Sequence, residues 1–353
     1  MARLDLSLPV VVALLLGVGL VTLNSAAPGN ELSRQLVFLA GSVVLAGVVM
    51  WVGKVRLVRY TPHFYVLSIA LLALVHLIGT EVNNAKSWLY LGPLPGFQPS
   101  EMAKLALILA LASAMHERPI RGILDYLRLG VLIGPPVLLV FMEPDFGSAL
   151  VIAMVGVGMV LVRGVPIRQL VVIVLAVGIA TPTVLLPSLA GYQRDRLLSF
   201  LDPEADAQGT GYQIIQATIA VGSGGLLGKG YKQGTQGQLN FIPEKHTDFI
   251  FPVLAEEGGF VASVGLLLLY GLLFWRLVSM AGECPFERDQ LIIIGVVVLI
   301  GFQVLVNIGV TLGLAPVTGI TLPLVSAGGT SLISTLLALT VAFTVHRDRY
   351  AEW

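Results

Sequence analysis

Runs of roughly 17 to 25 apolar residues recur along this chain, the length that crosses a bilayer as a helix. In lipid every backbone polar group must be bonded internally, so a spanning segment is a helix or a strand of a closed barrel. The dyad alternation of a lipid-facing barrel is absent. Of 353 residues, 56% are hydrophobic and 12% charged. The chain therefore reads as an all-α polytopic membrane protein, one unit over 1–353. Hydropathy gives about ten spans, near 6–23, 36–53, 62–79, 102–115, 128–142, 146–162, 169–186, 250–275, 290–312 and 323–345. The first run is long and lacks a small-residue cleavage site, so it reads as a span and not as a removed signal peptide.

Lys and Arg set the orientation. With the N-terminus inside, the inner segments hold Arg3, Lys54, Arg56, Arg59, Arg118, Arg121, Arg128, Arg163, Arg168, Arg276, Arg288, Arg347 and Arg349. The short outer connections hold only Arg34, Lys86 and Lys104. Both termini are therefore expected in the cytoplasm. The starts of spans four, six, eight and ten then face outward at one level, which points to chemistry on the outer face.

The connection 187–249 is too long for an idle loop. Its segment 212–221 suits a helix in the membrane interface. "GSGGLLGKG" (222–230) lacks Gly-x4-Gly-Lys-Ser/Thr and reads as a flexible turn, not a nucleotide loop. Net charge is zero, so no nucleic-acid partner is suggested. Cys284 is the sole cysteine, which excludes an intrachain disulfide.

"LNFIPEKHTDFIFPVLAEEGGF" (239–260) concentrates ionisable residues at a span mouth. Charges there are costly, so they are functional candidates by default. Asp248 is the first candidate, as a general base; the structural alternative is an N-cap of span eight. His246 reads as a supporting polar residue, since no metal-ligand spacing accompanies it. Glu256 and Glu257 lie inside span eight and must face protein or water. In "QPSEMAK", Glu101 and Lys104 share a helix face, either as a structural ion pair or as a group that positions a pyrophosphate. "MEPDFG" (142–147) reads as two broken helix ends, with Glu143 and Asp145 lining a cavity or capping them. Asn307 and "SAGGTS" (326–331), with Ser326 and Thr330, are small polar positions that would also suit close helix packing.

"NNAKSWLYLG", "FQPSEMAKL", "EPDFGSAL", "GYQIIQATIAVGSGGLLGKG", "GTQGQLNFIPEKHTDFIF" and "NIGVTLGLAPVTGITLPLVSAGGTS" together resemble the SEDS family (shape, elongation, division and sporulation), over nearly the whole chain. The fifth stretch looks like the elongation branch. Lys86 and Ser87 stand where the family often has Arg before Trp88, and Ala327 replaces the usual Tyr. The resemblance implies a ten-span peptidoglycan glycosyltransferase of the bacterial cytoplasmic (inner) membrane. It would work with a class B penicillin-binding protein and other elongation-complex membrane proteins. It matches Asp248 to the family's essential aspartate, Glu101 and Lys104 to its important pair, and Asp145 to its Pro-Asp turn.

On that reading, lipid II is polymerised on to a lipid-linked glycan strand. Asp248 deprotonates the acceptor 4-hydroxyl, and undecaprenyl pyrophosphate leaves with inversion. Developing negative charge needs cations nearby; Lys104, Lys86, Arg194, Arg196 and Lys245 are available. Outer carboxylates could hold a divalent cation, Mg or Mn, and no organic cofactor is expected. A lipid II flippase, or a non-catalytic scaffold of the elongation machinery, remain the alternatives.

Overall fold

The computed structural model describes residues 6–27, 29–82, 85–90, 96–117, 122–164, 191–203 and 209–351. The first helices are α1 (Ser7–Ala26), α2 (Asn30–Arg59) and α3 (Thr61–Ile78). A short antiparallel hairpin follows, β1 (Thr80–Val82) with β2 (Ala85–Trp88), which an all-helical reading did not anticipate. Then come α4 (Pro99–Glu117), α5 (Ile123–Met142) and α6 (Phe146–Val162). The long connection contains α7 (Gly191–Leu201), α8 (Thr210–Ser223) and α9 (Thr235–Gln238). The chain closes with α10 (Ile250–Gly282), α11 (Glu287–Thr311) and α12 (Gly329–Arg347).

Among the described residues seven helices are long and apolar enough to cross a membrane: α1, α2, α3, α5, α10, α11 and α12. Helix α6 is apolar but shorter, and α4 opens with Glu101 and Lys104. The fold is a mostly helical, multi-pass membrane protein. The expected span near 169–186 lies outside the described residues.

Burial separates interior helices from lipid-facing ones. The apolar windows of α11 and α12 are 67% buried, that of α2 only 11%. Helix α4 joins the interior: from Leu105 to Ala112 every side chain is buried. It packs against α3, α6 and α11, while α12 packs against α2. Small residues allow these approaches. A Cβ on Gly295 of α11 would lie 2.6 Å from Ile108 of α4 and 2.9 Å from Met159 of α6.

Two helices are broken by glycines with left-handed backbone, α2 at Gly53 (φ 73°) and α10 at Gly259 (φ 66°). The second break is clamped by the glycine-rich turn after α8. Lys229 N and Gly230 N donate to Glu256 O and Glu257 O, and Phe260 N donates to Gly225 O. Helix α12 starts at Gly329, six residues later than the apolar run at 323 suggested. Leu322, Leu324 and Val325 are buried but not helical. Irregular backbone is tolerated at that depth because protein, not lipid, surrounds it. Ser326 N closes the turn on to Leu322 O at 2.9 Å.

Candidate active site

The starts of α2, α4, α6 and α12 converge on a cavity of about 580 Å³. They bring Glu31, Arg34 and Gln35; Glu101 and Lys104; Phe146 and Ser148; and Gly329, Thr330 and Ser331 to its wall. Glu244, His246, Thr247 and Asp248, segment 317–321, Arg196 of α7 and Gln303 of α11 also line it. The sequence placed the starts of spans four, six, eight and ten at one level; the structure brings them together laterally and adds the start of α2.

Asp248 sits on a turn whose main chain is held from three sides. Ala327 N donates to His246 O (2.9 Å), Ser326 Oγ to Thr247 O (2.6 Å) and Asn307 Nδ2 to Asp248 O (2.9 Å). Asn307 Nδ2 also donates to Ile320 O at 2.7 Å, which binds the same turn to the loop before α12. The Asp248 carboxylate faces that loop: a Cβ on Gly319, where φ is +74°, would lie 3.8 Å from Oδ2. It does not cap α10, which has no side-chain cap. Burial pushes its pKa up to about 7, Glu244 and Asp145 add to the rise, and Arg196 opposes it. A carboxyl so placed changes charge near neutral pH, the range that suits a general base.

Lys104 Nζ donates to Glu101 Oε1 at 2.7 Å, and both side chains are nearly buried. The ion pair exists, and it lines the cavity. Asp145 caps α6, with Oδ1 accepting from Ser148 N (3.0 Å) and Oδ2 from Gln98 Nε2 (2.9 Å). It too lines the cavity, so capping and cavity wall are one arrangement. Arg196, Thr330 and His246 line it as well. The side chain of Arg194 lies outside the described residues.

Other expected site residues are engaged elsewhere. Lys86 Nζ donates to His76 O at the end of α3 (2.9 Å). Lys245 Nζ donates to Gly237 O (2.6 Å) and Asn240 Oδ1 (2.7 Å). Neither lines the cavity, and Ser326 stands behind it, its Oγ also accepting from Leu322 N at 2.8 Å. Glu143 is buried beside Asp145 with neither carboxyl oxygen partnered among the described residues. Burial, with Asp145 adding, pushes its pKa up to about 8.

Glu256 and Glu257 build the scaffold. Glu256 is fully buried and accepts from Lys229 Nζ (2.6 Å), Thr235 N (2.7 Å), Gln236 N (3.0 Å) and Gly237 N (3.2 Å). The anion-binding backbone beside the glycine-rich turn is thus filled by the protein's own carboxylate. Glu257 accepts from Ser25 Oγ (2.6 Å) and Gln238 Nε2 (3.1 Å), tying α10 to α1.

Among the described residues no three His, Cys, Asp or Glu side chains group as metal donors. Asp145 and Glu101 accept hydrogen bonds from Gln98 and Lys104. Sequence reasoning did not single out Gln98 or Gln303. The available signal for Gln303 was its place four residues before Asn307 in an apolar helix.

Residues 5–351 match the family described as "Cell cycle protein", FtsW/RodA/SpoVE. The chain is 40% identical over 291 residues to peptidoglycan glycosyltransferase MrdB of Escherichia coli, covering 82% of this chain and 78% of that one. It is 37% identical over 358 residues to a probable peptidoglycan glycosyltransferase FtsW of Thiomicrospira cyclica, covering 95% and 90%. Among solved structures, a chain of a peptidoglycan synthase complex for polymerization and crosslinking superposes with a TM-score of 0.88 at 46% identity, covering 100% of both chains. The rod shape determining protein RodA of Thermus thermophilus gives 0.77 at 40% identity, covering 99% of both.

Proposed function

The chain belongs to the FtsW/RodA/SpoVE family and is a peptidoglycan glycosyltransferase, and from that premise we propose that it polymerises lipid II with Asp248 as general base. The observation that carries the reading is the cavity itself, where Asp248, Asp145, Arg196 and the Glu101–Lys104 pair meet at the starts of membrane helices. A lipid-linked sugar presents its reacting bond at that level while its tail stays in the bilayer.

The acceptor 4-hydroxyl gives its proton to the Asp248 carboxylate as its oxygen attacks the anomeric carbon of the lipid-linked strand. The bond from that carbon to the phosphate oxygen breaks, and the electron pair leaves with undecaprenyl pyrophosphate. Attack opposite the leaving group inverts the centre and needs no covalent enzyme intermediate. Lys104 and Arg196 line the cavity and would stabilise the leaving charge. The hydrogen-bonded carbonyls of 246–248 hold the base in place before substrate arrives, the kind of support that preorganises a site.

The basic residues Lys54, Arg56, Arg59, Arg276 and Arg347 lie toward the helix ends remote from the cavity-lining starts, which supports both termini cytoplasmic and chemistry on the outer face of the inner membrane, as a ten-span topology would have it. A class B penicillin-binding protein is the proposed partner, in keeping with the likeness to a chain of a synthase complex. The test is reconstitution of the protein in liposomes with lipid II, with and without that partner. Glycan polymer is the expected product; lipid II translocation without polymer would replace this reading with a flippase.

A further inference from the structure

Gln303 is one of the cavity-lining polar groups that this mechanism leaves unused. It lies in α11, the most apolar of the described spans (mean hydropathy 2.8). It is 3% exposed and lines the cavity. Its side-chain amide has no hydrogen-bond partner among the described residues. The contrast with Asn307, one turn along the same helix, is direct, because Asn307 Nδ2 is spent on Asp248 O and Ile320 O. An amide on so apolar a helix is costly unless it meets a polar group, and Gln303 meets the cavity. Gln98, Gln35 and Lys104 on the same wall all have protein partners. Gln303 is built to meet something that enters the cavity.

Resting on the glycosyltransferase reading above, the geometry points to Gln303 as a specificity-determining residue that binds the 2-acetamido group of the acceptor sugar. A carboxamide offers one donor and one acceptor side by side. An acetamido group offers the complementary pair: its carbonyl accepts from Nε2 and its N–H donates to Oε1. A hydroxyl satisfies one partner less completely. The depth also fits. Four residues of helix place Gln303 about 6 Å along the axis from Asn307, which holds the Asp248 main chain. A pyranose ring with its 4-hydroxyl at Asp248 has its 2-acetamido group at a comparable remove. A site that hydrogen-bonds a substrate amide rejects the analogue that lacks it, since its own buried polar group is then left unpaired.

The test compares extension rates of the purified full chain, with the class B penicillin-binding protein present, on two lipid-linked acceptors, one with the 2-acetamido group and one with a 2-hydroxyl in its place. Wild type is expected to favour the acetamido acceptor by about tenfold or more. Gln303→Met, close to Gln in shape but without the amide, is expected to bring that ratio near one. Gln303→Leu serves as the second variant, and thermal melting checks that both are folded. If either folded variant keeps the wild-type ratio, even at a lower overall rate, Gln303 is structural and the inference is overturned. If wild type extends neither acceptor, the glycosyltransferase reading falls and takes this inference with it.

Discussion

Asp248 can accept a proton only when ionised, and its surroundings hold its pKa near 7. Turnover should therefore rise as pH rises through about 7. Arg196 lowers that pKa and Glu244 raises it, so Arg196→Gln should move the rise to higher pH and Glu244→Gln to lower pH. A profile flat from pH 6 to 8, or variants shifting the other way, would contradict the assignment. Glu143 gives a stability test. Unfolded, it ionises near 4.5; folded, it stays protonated to about 8. The folded state thus binds more protons between those values, and stability falls as pH rises across the window. Glu143→Gln should remove that slope from thermal melts while leaving polymerisation intact. Asp248 was legible because a carboxylate at a span mouth is costly. Lys86 and Lys245 were assigned to the substrate by charge alone. Their ammonium groups donate to backbone carbonyls at a helix end and a turn, a use that net charge does not reveal.

At the scale of elements, the apolar runs marked most spans because lipid forces a helix on any long exposed apolar segment. The same signal misplaced the start of α12, where Leu322, Leu324 and Val325 are apolar for protein contact and not for lipid. Gly313, Pro316, Gly319 and Pro323 were the local warning. The break in α10 depends on the carboxylate of Glu256, which gathers three backbone N–H groups and Lys229. Glu256→Gln keeps the shape but loses the charge. It should cost about 2 kcal/mol, read as a lowered melting temperature with faster proteolysis at 222–230, from hydrogen bonds to a charged group. Unchanged melting and proteolysis would show that the glycine-rich turn docks without this carboxylate. Gln98 and Gln303 carry no charge and fit no catalytic spacing, so nothing in the sequence singled them out; their place follows from the cavity.

Across the whole molecule, the two ends of the bundle differ. The cavity end is open and lined by polar groups with room between them. The other end is pinned: Lys54 Nζ meets Asp289 Oδ2 at 2.8 Å with both side chains wholly buried, and Arg347 Nη2 donates to Met50 O. His346 Nε2 lies 2.7 Å from Glu283 Oε2, tying the ends of α12 and α10. Lys54→Met would strand the Asp289 charge and should cost about 3–5 kcal/mol, while adding Asp289→Leu should recover most of that loss. Equal melting temperatures for the single and double variants would mean that the pair is not coupled. The central claim is that one carboxylate in the cavity performs the proton transfer. Its most direct test is glycan polymerisation from lipid II by wild type and by Asp248→Asn, with the partner present and the fold of each verified by thermal melting. The account predicts polymer from the wild type and none from the variant at any pH. Polymer from a folded Asp248→Asn protein would remove Asp248 as the base.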